Sequence, residues 1–70
     1  MERVRVQSDS LKSVGYDSMT ETLEVQFRDG GVFQYYSVPE FLFQRLVRKG
    51  AKNAYFEDRV RRQFKFRRVG

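Results

Sequence analysis

The alternation of apolar and polar side chains is sharpest at Thr22-Leu23-Glu24-Val25-Gln26-Phe27-Arg28, where Leu23, Val25 and Phe27 share one face. A period of two over this length predicts a β-strand with one buried and one polar face. Residues 10–16 read as a short first strand, separated from it by the polar, turn-forming Asp17-Ser18-Met19-Thr20-Glu21. Asp29-Gly30-Gly31 is a hairpin turn, and its loop length sets the register of the third strand. A two-residue loop would set Val32, Gln34 and Tyr36 beside Leu23, Val25 and Phe27. A three-residue loop with glycine in the left-handed position sets Phe33 and Tyr35 there. The second is expected, because it buries two aromatic rings rather than a glutamine.

After Tyr36 the period lengthens to that of a helix. Ser37 is the expected cap, Glu40 completes a capping box, and Tyr36 and Phe41 occupy the positions of a hydrophobic staple. Leu42, Phe43, Leu46 and Val47 form one stripe, with Gln44, Arg45 and Arg48 opposite. Gly50 is expected to stop this helix. Asn53 is expected to cap a second one over residues 54–64, with Phe56, Val60 and Phe64 as its buried face. Glu57–Arg61 and Asp58–Arg62 stand at i,i+4 in the favourable orientation, contributing about 0.2–0.5 kcal/mol each. Residues 65–70 alternate briefly and form either a short extra strand or a frayed end. The expected fold is thus α+β, a single domain over residues 1–70. It is a three-stranded antiparallel β-meander followed by two helices packed on one face, with Phe27, Leu46 and Val60 in one core.

Composition narrows the chemistry. A chain of 70 residues buries roughly 60% of its unfolded surface, and one such core supplies about 3–5 kcal/mol. Seven Phe and four Tyr must provide that core, since there is no cysteine for a disulfide. Histidine is absent too, which removes imidazole acid–base work, Ser-His-Asp and Cys-His nucleophiles, and the usual zinc ligands. Asp17 and Asp29 belong to turns, and Glu21 and Glu24 would point to opposite faces, so no carboxylate pair is poised for catalysis. Asp29-Gly30-Gly31 lacks the following Lys-Ser/Thr of a phosphate loop. The expectation is a binding module with no enzymatic activity, no cofactor and no metal. No run of about 18 apolar residues exists to span a membrane. The N-terminus has no apolar signal core, so the expected location is the cytoplasm.

Charge points to a partner. Residues 45–70 hold ten basic side chains against Glu57 and Asp58, a net of +8, while residues 1–44 carry a net of −3. A field concentrated in this way attracts polyanions, nucleic acid above all. The candidate contacts are Arg45, Arg48, Arg61, Arg62, Lys65, Arg67 and Arg68, with Tyr36 as the exposed ring to stack on a base. Each has a plainer reading. Arg61 is either a surface partner of Glu57 or a phosphate ligand. The run from Arg61 to Arg68 is either a solvated face or an anion contact. Phe33 and Tyr35 are either core or a stacking platform. The alternative function is a protein-interaction module that binds an acidic partner or self-associates through open sheet edges.

Four local patterns occur in a familiar order: Val6-Gln7-Ser8 with Leu11 and Val14-Gly15-Tyr16-Asp17; Thr22-Leu23-x-Val25-x-Phe27 with Gly31; Phe33-x-Tyr35 with Val38-Pro39; and Tyr55-Phe56-x-x-x-Val60-Arg61-x-x-Phe64. Together, across residues 6–69, they resemble the KTSC domain. That is a small module of bacteria and phages, also found at the C-terminus of some lysyl-tRNA synthetases. The resemblance implies RNA binding as an expectation and brings no catalytic residues. The sequence departs from the pattern at Phe33, where the family has tyrosine, at Asn53 in place of glycine, and at Glu57 in place of asparagine. A binding loop shaped by that glycine and asparagine would be altered here.

Overall fold

The computed structural model describes residues 2–6, 10–48 and 56–70. Five antiparallel strands follow one another in sequence order: β1 (Arg3–Arg5), β2 (Leu11–Asp17), β3 (Thr22–Phe27), β4 (Val32–Tyr35) and β5 (Phe66–Arg68). Helix α1 (Glu40–Arg48) and a single π-helical turn (Glu57–Arg61) complete the described elements. The α+β class stands, but the three-stranded meander with two helices is corrected, among the described residues, to five strands with one α-helix. Two short edge strands account for the difference. β1 pairs with β2 and β5 with β4, so each owes its extended form to a neighbour rather than to an apolar run of its own. The tail is a strand, not a frayed end.

The hairpin forms in the expected register. Leu23 lies opposite Tyr35, Val25 opposite Phe33 and Gln26 opposite Val32. Phe27 donates its N–H to the Gly31 carbonyl at 2.8 Å, enclosing a three-residue loop. Gly30 takes a φ of 109°, a conformation that glycine adopts at no steric cost.

One sheet face carries the core. Leu11, Val14, Leu23, Val25, Val38, Leu46, Phe56 and Val60 are fully buried, and Phe27, Phe33, Phe43 and Phe64 pack against them. Leu46 and Val60 belong to this core as expected, whereas Phe27 is half-buried at its margin. It meets Phe33 and Phe56 edge to face, at centroid separations of 5.5 and 5.7 Å. Tyr16 stacks on Phe43 at 5.4 Å and donates its hydroxyl to the Val38 carbonyl, tying α1 to β2.

The entry to α1 differs from expectation. Ser37 has a φ of 58°, outside the β-region of an N-cap, and the helix begins three residues later at Glu40. The Glu40 carboxylate instead meets the Gln44 side-chain amide at 3.5 Å. Val38 donates its N–H to the Glu21 carbonyl at 2.9 Å, and this anchor to the β2–β3 turn draws Ser37 out of the cap position. With the helix starting at Glu40, Tyr36 and Phe41 no longer hold the two staple positions either. Gly50 and Asn53, the expected stop and cap, lie outside the described residues, as does the start of the second helix. Its described part is shorter than expected: the π-helical turn ends at Arg61 and residues 62–63 form a turn. Phe56 and Val60 are nonetheless fully buried, as their spacing required. Arg62 stands beyond the helical turn and does not pair with Asp58.

The other sheet face is polar and covered by no described element. Arg3, Gly15, Glu24, Gln34 and Arg67 form one row across all five strands. Both edge strands are three residues long and carry two arginines each, a combination that blunts pairing with another chain.

Candidate nucleic-acid interface

The cationic residues divide into three groups. Lys65 and Arg67 belong to the polar sheet face, Lys65 through its carbonyl's bond to the Tyr36 N–H at 3.0 Å and Arg67 opposite Gln34. Tyr36 lies on this face and donates its hydroxyl to Gln34 Oε1 at 3.4 Å. Glu24 sits at the centre of the face. It holds Arg3 at 3.1 Å and accepts from the Gln34 side-chain amide at 3.0 Å. This chain of contacts links Arg3, Glu24, Gln34 and Tyr36, so Tyr36, half-buried, is not a bare stacking ring.

The second group lies on the helical side. Arg45 places its guanidinium over the Phe41 ring, 5.6 Å from the centroid. That ring is 54% exposed. Pro39, Phe41, Leu42 and Arg45 of the α1 entry face Arg59, Gln63 and Phe64 across a cleft of about 370 Å³. Two guanidiniums, two phenyl rings and a primary amide line it, and among the described residues no carboxylate does. An arginine on an aromatic face gains cation–π attraction and stays weakly hydrated, ready for a phosphate. Arg59 was not among the candidates. Its spacing from Arg45 gives no hint of proximity; only packing of the 57–64 segment beside α1 brings them together. Arg48 and Arg62 are exposed, on α1 and past the π-helical turn.

The third group flanks β5. Arg61 donates from Nη1 to Glu57 Oε1 at 2.9 Å, the pair foreseen from the i,i+4 spacing. This bond, with the charge of Glu57, holds the guanidinium pKa above its ordinary value. Arg68 lies over Phe33, 5.8 Å from the ring centroid. Phe33 and Tyr35 face the core side, and Phe66, 55% exposed, tilts against both at 5.8 and 5.5 Å. The candidates thus do not converge on one face. Arg61 is partly neutralised, and Arg45 has an aromatic partner in place of an acid.

Among the described residues no group of three or more acids could hold a metal ion. No helix among them is long and apolar enough to cross a membrane.

Residues 7–64 match the KTSC domain family. The chain belongs to that family. A KTSC domain protein of Yersinia pestis, known from its crystal structure, superposes with a TM-score of 0.90 at 35% identity, covering 99% of this chain and 97% of the other. An uncharacterised protein of Stutzerimonas stutzeri is 39% identical over 56 residues, 80% of this chain and 79% of the relative. A lysine–tRNA ligase of Trichormus variabilis is 30% identical over 59 residues, 84% of this KTSC domain but 10% of the ligase.

Proposed function

We propose that this KTSC domain is a small RNA-binding module whose principal contact is the cleft of Arg45, Arg59, Phe41 and Phe64. The observation that carries the reading is a nucleotide-sized recess with two arginines, exposed aromatic surface and no acid among its described lining residues. Arg45 and Arg59 would take phosphate oxygens, for which the planar guanidinium fork is suited. Phe41 would stack a base, an interaction of about 1–3 kcal/mol. Arg48 and Arg62 add to the field without a fixed partner role. The relatedness to lysine–tRNA ligases, which act on RNA by name, favours RNA over DNA.

The test is titration of a labelled single-stranded RNA of mixed sequence at low salt, read by fluorescence anisotropy. Saturable binding that weakens at least tenfold in the Arg45→Glu/Arg59→Glu double variant supports the reading. Absence of binding by the wild-type protein, or indifference to that reversal, refutes it. An acidic protein partner then becomes the leading candidate for the same surface.

A further inference from the structure

A second recess, of about 160 Å³, lies on the other flank of the 57–66 segment, lined by Phe27, Asp29, Phe33, Tyr35, Arg61 and Phe66. Three of its features are unused by the fold. Tyr35 is 2% exposed, and among the described residues nothing pairs with its hydroxyl. Its ring packs against Phe56 and Phe66, which leaves the hydroxyl for the recess that Tyr35 lines. Arg61 is held in place through one nitrogen by Glu57 and keeps further N–H donors. Asp29 accepts a long 3.4 Å bond from the Gly31 N–H through Oδ1, leaving its second oxygen without a partner among the described residues. Beside these groups lies the half-exposed ring of Phe66. The recess therefore offers two kinds of donor, one acceptor and an apolar plane.

We infer that this recess takes the guanine base of an unpaired RNA nucleotide. The inference rests on the RNA-binding reading and narrows it to a base. Guanine presents two neighbouring acceptors, O6 and N7, which suit the Arg61 fork and the Tyr35 hydroxyl. Its adjacent edge presents the N1–H and N2–H donors, which suit the Asp29 carboxylate. Phe66 supplies the stacking surface, as aromatic side chains do for splayed-out bases. Adenine and cytosine carry an amino group where guanine carries O6 and would set donor against donor at Arg61. Uracil has no acceptor beside its O4, and next to N3–H it presents a second carbonyl, O2, which would set acceptor against acceptor at Asp29. Arg68, over Phe33 at the same end of the sheet, adds positive charge for the nucleotide's phosphate.

The test compares three eight-nucleotide RNAs, all-uridine except for one central position bearing uridine, adenosine or guanosine. The full chain should bind the guanosine oligomer about tenfold more tightly than either other, in the range one bidentate base contact provides. Asp29→Asn, which suits the same turn, should abolish that preference, bringing the guanosine oligomer level with the all-uridine one. Tyr35→Phe should reduce it. Equal affinity for the three oligomers, or a guanosine preference that survives Asp29→Asn, overturns the guanine assignment and leaves RNA binding through the Arg45 cleft standing. Failure to bind any of the three overturns the assignment together with the RNA reading itself.

Discussion

Arg3 on β1 reaches across β2 to pair with Glu24 on β3, and the residue it passes over is Gly15. The Arg3 Cγ lies 3.0 Å from where a Gly15 Cβ would stand, and the Glu2 carbonyl oxygen only 2.5 Å away. Gly15 is therefore required by the close approach of β1. Gly15→Ala should cost about 1–3 kcal/mol, as overpacking does, lowering the melting temperature by about 4–8 °C per kcal/mol in a domain of this size. Thermal unfolding by circular dichroism checks this; an alanine variant that melts with the wild type would show that β1 shifts freely.

Core truncation should separate two aromatics. Phe56 is fully buried and touches Phe27 and Tyr35 edge to face. Phe56→Ala should cost about 3–5 kcal/mol, comparable to the whole stability of a domain this small. Phe27→Ala, at the rim of the second recess, should cost less. Urea unfolding of both variants gives the order, and a reversed order would place the centre of the core at the sheet end rather than under the π-helical turn.

Alkaline pH should weaken the fold. Burial raises the Tyr35 phenol pKa above 10.0, and the nearby Arg61 charge only partly opposes it. The unfolded chain then releases its proton first, so stability is full below the unfolded pKa near 10 and falls as pH rises through the folded one. Tyr35→Phe should keep stability at neutral pH and lose less of it between about pH 9 and 11. Identical alkaline melting curves for the two proteins would count against a phenol confined by burial.

Salt should report the number of phosphates held. Log affinity for single-stranded RNA should fall against log salt with a slope of about −0.7 per contact, or near −1.4 if Arg45 and Arg59 take one each. Reversing Arg62 and Lys65, which lie outside the cleft, should reduce affinity less than reversing Arg45 and Arg59. The opposite ranking would move the contact to the β5 side.

The central hairpin was legible because two local signals agree there. Alternation in β3 and a glycine able to take positive φ leave one register that buries Phe33 and Tyr35. β1 was not legible, since Val4 stays exposed and its arginine neighbours carry no burial signal; pairing with β2 makes it a strand. The Glu57–Arg61 pair could be read from spacing alone. The Arg45–Arg59 cleft could not, because it depends on how two distant segments pack. Asp29 read as a turn residue, and it is one, but its place beside Arg61 arises only when β5 returns along β4.

The strict sequence order of the strands also fixes where the domain can be joined to something else. β1 and β5 stand at opposite edges, four strand spacings apart, or about 19 Å. A polypeptide attached ahead of β1 would leave from the edge farthest from Phe66 and Arg61. Fused behind a larger domain, the KTSC domain would thus hang from one margin like a sign on a bracket, its β5 edge turned away from the joint.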